Sequence, residues 1–319
     1  MINLEIGGFF ELEINQESGF ALPEAYGFNT GRACLNFLIQ RLRPNKVYLP
    51  FYTCDALIAP LVEYNIPYQF YEIDKNFKPV INFEPNNKEL IIVINYFGLL
   101  STHIKELLKV YGRKMIVDET HNFFVKPQFN SISFTNLRKN IGAPDGAFLY
   151  GFSNDDLTMY PINKPSILHN YLRLIKAENA YQEYTNYENS LNNNIKRISE
   201  ISKIILKNLD VNKIRLKRIQ NFNLYHSRLR NINLIDKDLL EGFEGTPFCY
   251  PLVLKTPIDL NSFHKNKIFI PNYWLDCQLR SEVGYDYEKY ISKNLLPLPL
   301  DHRYGDIEVN QVIDFILKY

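Results

Sequence analysis

The stretch "FTNLRKNIGAPDGA" (134–147) sets two basic residues, Arg138 and Lys139, between an apolar run and a turn of Gly, Pro, Asp and Gly. Upstream, Asp118 closes the run "KMIVD" and His121 follows three positions later. Further upstream, "NTGRAC" (29–34) opens an amphipathic run at Gly31. A carboxylate can keep a ring nitrogen protonated, an imidazole can hydrogen-bond an oxygen, and a lysine amine can act as nucleophile or base. A helix that starts at a glycine offers backbone N–H groups to an anion. Each feature also has an ordinary reading. A lone lysine is usually a surface residue, an Asp at a strand end usually caps a helix, and N-T-G before a helix is also a plain cap. Their placement in the fold has to decide.

Short apolar runs alternate with longer amphipathic ones from about residue 30 to 150. "RACLNFLIQRLR" (32–43), "CDALIAPLVEYN" (54–65, despite Pro60) and "STHIKELLKVYG" (101–112) have helical spacing. The last has Ser101 as N-cap candidate and Gly112 as stop. "KVYLP" (46–50), "PYQFYEID" (67–74), "ELIIVINYFG" (89–98), "KMIVDE" (114–119), "SISFTN" (131–136) and "GAFLYG" (146–151) read as strands. The run at 89–98 is continuous rather than alternating, as a strand buried on both faces requires. The alternation predicts an α/β fold, a three-layer sandwich with a mostly parallel sheet. In such sheets ligands sit beyond the carboxyl ends of the strands, where Asp118, His121 and Lys139 fall.

Residues 165–207 lack strand signals and predict one or two long helices. From about 208 come scattered strands, "CYPLVLK" (249–255) and "KIFIPNYW" (267–274), then a final helix, "IEVNQVIDFILKY" (307–319). The expected organisation is a large domain over 1–165, a helical connection over 166–207 and a small α/β domain over 208–319. The chain has 319 residues, enough for a well-buried core of this kind.

A formal net charge of +1 provides no field for nucleic acid or an anionic membrane. No apolar run approaches the ~20 residues of a membrane span. The first residues carry acidic groups and no basic n-region, unlike a signal peptide. Cys34, Cys54, Cys249 and Cys277 lack C-x-x-C spacing, which suggests neither a zinc site nor a disulfide framework. The expectation is a soluble, cytoplasmic protein.

A carboxylate, an imidazole, a lysine and a phosphate cradle in one α/β layer share a chemical explanation, pyridoxal 5'-phosphate. Its aldehyde needs a lysine amine for a Schiff base, and its pyridine nitrogen needs a carboxylate to remain protonated. Its phosphate needs N–H donors at a helix dipole, and its ring oxygen needs a hydrogen-bond partner.

Region 29–147 also resembles the large domain of fold-type-I pyridoxal-phosphate enzymes, the aspartate aminotransferase superfamily. It is most similar to the DegT/StrS-type sugar aminotransferases. "NTGRACLNFLI" resembles their phosphate segment, and "VYLPFYTCDALIAPL" their strand-then-helix segment. "VINYFG" resembles V-x-H-x-x-G, "IVDETHNFF" resembles I-E-D-x-A-H/Q, and "FTNLRKNIGAPDGAFLY" resembles the lysine segment. "LPLPLDHRYGDIEVNQVIDFI" is weakly similar to the family's ending, and "GGFFELE" (7–13) to the opening of a short-chain subgroup.

The resemblance implies that Lys139 forms the Schiff base and Asp118 pairs with the pyridine nitrogen. It implies that His121 contacts the ring oxygen or stacks near the ring. Gly31 and Arg32 would offer backbone N–H groups to the phosphate, with a side-chain contact from Asn136 or Thr135. Three positions depart from the family pattern: Arg32 stands for a small hydroxyl residue, Asn95 for a His, and Cys54 falls near the ring-stacking aromatic. Tyr52 is the alternative stacking residue. Arg138 is an open case, and Arg303 suits a structural salt bridge better than a substrate contact.

The expected activity is an aminotransferase that moves an amino group from an amino-acid donor to a keto sugar, nucleotide-linked, in surface-polysaccharide or related biosynthesis. The expected partner is a second copy in a homodimer, with no nucleic acid or membrane. The alternatives are a pyridoxal-phosphate lyase or dehydratase, or a non-catalytic member of the fold used for binding. The intact Lys139 and Asp118 argue against the last.

Overall fold

The computed structural model describes residues 6–8, 24–124, 131–153 and 155–319. A short strand, β1 (Ile6–Gly7), precedes the main sheet. Seven strands build that sheet: β2 (Tyr26–Phe28), β3 (Lys46–Pro50), β4 (Tyr68–Tyr71), β5 (Glu89–Ile94), β6 (Met115–Asp118), β7 (Ile132–Phe134) and β8 (Ala147–Tyr150). The spatial order is β2-β8-β7-β6-β5-β3-β4. β7, β6, β5, β3 and β4 pair in parallel, while β8 runs against both its neighbours. The expected mostly parallel α/β sandwich is therefore the observed fold. Each predicted strand of this sheet appears, generally trimmed at its ends.

After Glu89 the central strand β5 is apolar, and Leu90–Ile94 are all buried, as expected of a strand covered on both faces. The helices α1 (Gly31–Leu42), α2 (Asp55–Glu63) and α3 (Ser101–Tyr111) fall where apolar spacing places them. Pro60 is tolerated inside α2. The expected Ser101 cap is replaced. Ser101 is the first helical residue, and Asn95 Oδ1 accepts the Leu100 N–H at 2.9 Å instead. Asn95 Nδ2 donates to Ser101 Oγ at 3.1 Å. β5 thus stops at Ile94, and "NYFG" is a tight turn rather than strand. Gly98 in that turn has φ +74, and a Cβ there would lie 2.8 Å from the His121 carbonyl oxygen.

Beyond residue 160 the structure departs from the sequence reading. Three helices occupy 165–207: α4 (Leu168–Leu174), α5 (Ala180–Ser190) and α6 (Glu200–Lys207). The break between α5 and α6 is the Asn-rich "LNNN" (191–194), followed by Arg197, which bridges to Phe28 and Ile162. The longest helix, α7 (Val211–Leu229), lies where no helix was expected. Two of its buried positions are Arg218 and Asn221, so its inward face does not read as apolar. "KIFIPNYW" is strand only at β10 (Ile268–Phe269), which pairs in parallel with β1. Strand β9 (Cys249–Val253) pairs antiparallel with β11 (Leu295–Pro299). The C-terminal helix Asp306–Ile316 packs against α7. Of "GGFFELE", residues 9–13 lie outside the described residues.

The turn that carries Lys139 is tied on all sides. Leu137 N–H donates to the Gly146 carbonyl at 2.8 Å, and Gly146 N–H donates to Asn29 O at 2.8 Å, just before α1. Asn140 Nδ2 donates to Thr120 O at 2.9 Å, which joins the turn to the Asp118–His121 loop. Arg218 Nη2 reaches Asn140 O at 2.9 Å from α7. Asp145 is fully buried and accepts from Ser199 Oγ (2.6 Å), Ser202 Oγ (2.5 Å), Ser199 N (3.1 Å) and Asn163 Nδ2 (2.8 Å). Bonds to a charged acceptor contribute roughly 1.5–3 kcal/mol each, and removing the acceptor leaves buried donors unpaired. Asp145→Ala should therefore lose about 3 kcal/mol or more in urea unfolding, and Asp145→Asn less, since the amide still accepts. Two variants within 0.5 kcal/mol of wild type, on the order of ordinary surface changes, would deny the turn this anchor.

Candidate functional site

One cavity of about 350 Å³ is lined by Gly31, Arg32, Cys54, Asp118, His121, Asn136 and Lys139 together. It lies at the carboxyl ends of β6 and β7 and at the amino end of α1. All seven residues singled out in the sequence thus reach one space. Thr53, Thr120, Arg138, Glu188, Tyr273, Trp274 and Asp276 are among the other residues on its surface. Tyr273 and Trp274 were missed because 267–274 reads as a strand. The only tryptophan of the chain, beside a tyrosine after Pro271, was the available signal.

Thr30 caps α1, its hydroxyl accepting the Ala33 N–H at 3.1 Å. The N–H groups of Gly31 and Arg32 have no acceptor among the described residues, as expected of a first helical turn. The Arg32 guanidinium donates through Nη1 to Leu191 O at 3.0 Å. Its backbone is therefore at the helix end while its charge is engaged with the 191 loop. Asn136 Oδ1 and Thr53 Oγ1 are buried without a hydrogen-bond partner among the described residues, and both residues line the cavity. Thr135 Oγ1 is similarly buried and unpartnered, but Thr135 does not line it.

Asp118 is buried at the end of β6, and its Oδ1 accepts the Thr120 N–H at 2.9 Å. No basic side chain pairs with it among the described residues. Burial pushes its pKa up to about 6, against the opposing Thr120 hydrogen bonds. Its neighbour Glu119 is pushed up to about 7 by burial, although Asn122 and Asn95 each donate to it at 2.8 Å. His121 lies parallel to Phe248, with ring centroids 4.1 Å apart. Its Nδ1 accepts the Phe97 N–H at 3.3 Å, so the neutral ring carries its proton on Nε2. Burial first, and then Lys139, pushes the His121 pKa down to about 3.

Lys139 follows β7 in the tied turn and lines this cavity and a second one of about 460 Å³. Its amine has no hydrogen bond or ion pair among the described residues. Cys54 is the N-cap residue of α2, and burial, then Asp118, raises its thiol pKa. Tyr52 is fully buried outside the cavity, 4.5 Å from the Trp274 ring and 5.7 Å from Tyr96. The aromatic lining of the cavity among the described residues is therefore His121, Phe134, Tyr273 and Trp274, not Tyr52. Arg303 makes a two-pronged pair with Asp301, at 2.7 and 3.0 Å, outside this cavity.

The raised Asp118 pKa has a stability consequence. A carboxyl whose folded pKa is raised holds more protons in the native state than in the unfolded chain, so stability falls as pH rises. For Asp118 the window runs from 3.8 to about 6. The difference amounts to about 3 kcal/mol at full ionisation. In cofactor-free protein, Asp118→Asn should lose less stability than wild type between pH 4 and pH 7 in urea titrations. Parallel pH curves for the two proteins would mean that Asp118 is solvated or paired.

No protein-family model matches the sequence, and no curated protein matches it. Solved structures do. A DegT DnrJ EryC1 StrS aminotransferase from Brucella abortus is 14% identical, with a TM-score of 0.63 over 93% of this chain and 86% of that one. PseC of Helicobacter pylori, an aminotransferase involved in the biosynthesis of pseudoaminic acid, is 14% identical with a TM-score of 0.66, covering 93% and 86%. DesV of S. venezuelae, solved in complex with a ketimine intermediate, is 15% identical with a TM-score of 0.64, covering 92% and 84%. Over nearly its whole length, this chain has the fold of these three proteins.

Proposed function

We propose that the protein is a pyridoxal-phosphate-dependent aminotransferase that carries an amino group from an amino acid to a keto sugar, nucleotide-linked, in polysaccharide or related biosynthesis. The observation that carries the reading is the single cavity that gathers Lys139, Asp118, His121 and the unengaged end of α1. The fold shared with sugar aminotransferases, one of them in pseudoaminic acid biosynthesis, supports the substrate class.

The residues fit the cofactor. The free N–H groups of Gly31 and Arg32, with the unpartnered side chains of Thr53 and Asn136, suit a phosphate. The lone buried carboxyl of Asp118 suits a ring N–H, which would satisfy its missing partner and restore its charge. When bound, the cofactor supplies a carbonyl carbon to hold the amino group and a cationic ring that withdraws electrons. Asp118 would hold the proton on the ring nitrogen, and His121, neutral with its proton on Nε2, would hold the ring oxygen. Lys139 Nζ would hold the cofactor at rest and, once freed by exchange with the donor's amine, would take up and return the proton at the donor's α-carbon. Tyr273 and Trp274, on the same cavity wall, would shield that proton from water.

The same reading divides the chain into a cofactor-binding part (1–165), a helical connection (166–207) and a covering part (208–319). The cavity draws Glu188 and Leu191 from the second and Tyr273, Trp274 and Asp276 from the third. It also implies a homodimer. α4 and its flanks expose Leu168, Tyr171, Leu174 and Ile175, an apolar strip suited to a second copy.

Protein purified with added pyridoxal phosphate should show a visible absorption band. Borohydride should then fix a pyridoxyl group to Lys139 in peptide maps, and Lys139→Ala should show neither. An adduct on another lysine would remove Lys139 from its role, and no band at saturating cofactor would remove the cofactor. In sedimentation, the protein should be dimeric at micromolar concentration, and Leu174→Glu with Ile175→Glu should shift it toward monomer. A wild-type monomer would refute the assembly.

A further inference from the structure

Arg138 immediately precedes Lys139, and among the described residues only Arg138, Lys139 and Tyr273 line both cavities. Its side chain is 8% exposed and forms an ion pair with Glu188 of α5. The guanidinium lies over the Tyr187 ring, 5.3 Å from its centroid, which adds a cation–π contact to the ion pair. His169 stacks on the same tyrosine at 4.6 Å. Burial, then Arg138, pushes the His169 pKa down to about 4, so it adds no charge at neutral pH. Arg138 is therefore a fixed, desolvated cation on the wall beside Lys139. Glu188 is its one ion-pair partner among the described residues.

Nothing in the cofactor's chemistry calls for this cation. The ring and phosphate have their partners elsewhere in the cavity. A guanidinium presents five N–H donors in a planar fork that matches a carboxylate, and one carboxylate does not exhaust it. The Glu188 side chain is 28% exposed, against 8% for Arg138, so although its Oε1 is buried against the guanidinium, the glutamate is the partner nearer solvent.

We infer that Arg138 and Glu188 form an exchangeable carboxylate site, in which Arg138 receives the carboxylate of the amino-acid donor and Glu188 occupies the guanidinium until the donor arrives. This rests on the aminotransferase reading and names the residue that recognises the donor. Distance along the substrate favours the donor over the sugar. The donor's carboxylate is bonded to the carbon whose proton Lys139 moves, so its reader must stand beside that lysine. The phosphate of a nucleotide-linked sugar lies a ring's width further away. Glu188 then sets the donor's affinity, since every donor must compete with it.

The test is calorimetric titration of succinate into protein saturated with pyridoxal phosphate. Succinate has carboxylates but neither amine nor ketone, so binding needs no turnover. Wild type should bind it. Arg138→Gln should bind it about tenfold or more weakly, because a charge-assisted pair is lost. Arg138→Lys should recover part of that affinity. Glu188→Gln should bind it about threefold or more tightly, because the competitor is gone. The cofactor absorption band of each variant reports whether the site remains folded. No succinate binding to wild type, an unchanged affinity in Arg138→Gln, or weaker binding in Glu188→Gln would each overturn the inference. A missing cofactor band in wild type would reject the aminotransferase reading instead, and the succinate titrations would still report on the pair.

Discussion

The buried carboxylate of Asp145 and the donors around it hold the turn on which the site depends. Lys139 belongs to no helix or strand, and its position is inherited from the ends of the turn. At one end Asp145 collects two serine hydroxyls, a backbone N–H and an amide. Partway along, Asn140 bonds to the carbonyl of Thr120 and receives Arg218 from α7. Gly146 bonds to Asn29, next to the amino end of α1. One short segment is thereby registered against the carboxylate loop, the helix end and the C-terminal half of the chain. A loop carrying buried polar backbone has to satisfy it somewhere, and here the partners are the other loops of the site.

Burial without countercharge sets the chemistry inside. Asp118 and Glu119 are adjacent on the same strand end, and burial raises both. They differ in their partners. Glu119 is held by Asn95 and Asn122, the amides that also shape the turn after β5. Asp118 has only the Thr120 turn, with no countercharge among the described residues. His121 is neutral for the same reason, and its stack on Phe248 with a bonded Nδ1 fixes which nitrogen donates. Low dielectric makes each of these groups wait for a specific partner rather than for water.

Substitution at the departing positions is absorbed by redistribution. Asn95, where relatives in the resemblance carry His, serves as helix cap and carboxylate clamp at once. Cys54 contributes no aromatic face, and Tyr52 packs away behind Trp274. The aromatic wall arrives from Tyr273 and Trp274, more than two hundred positions later, where Trp274 takes a left-handed turn with φ 57°. Arg280 fastens the Cys54 loop from the same region, through Thr53 O at 2.9 Å and Asp55 at 2.7 Å.

The sequence by itself determined the parallel sheet and the residues at its carboxyl edge. Buried strands are continuous apolar runs, and a residue at a strand end faces the crevice whatever follows it. That is why Asp118, His121 and Lys139 were legible together, with Gly31 read from the helix it opens and Asn136 only from the family resemblance. α7 was not, because its inward face is paid out in polar groups such as Arg218 and Asn221, which bury by bonding carbonyls of distant segments. Nor were Tyr273 and Trp274, because the apolar run 267–274 reads as a strand that continues, and Pro271 with the lone tryptophan gave only a faint sign that it turns into a cavity. Only the tertiary structure could pair Arg138 with Glu188 across fifty residues. A charge takes its meaning from what stands within a few ångströms of it, and chain spacing does not encode that distance once a loop intervenes.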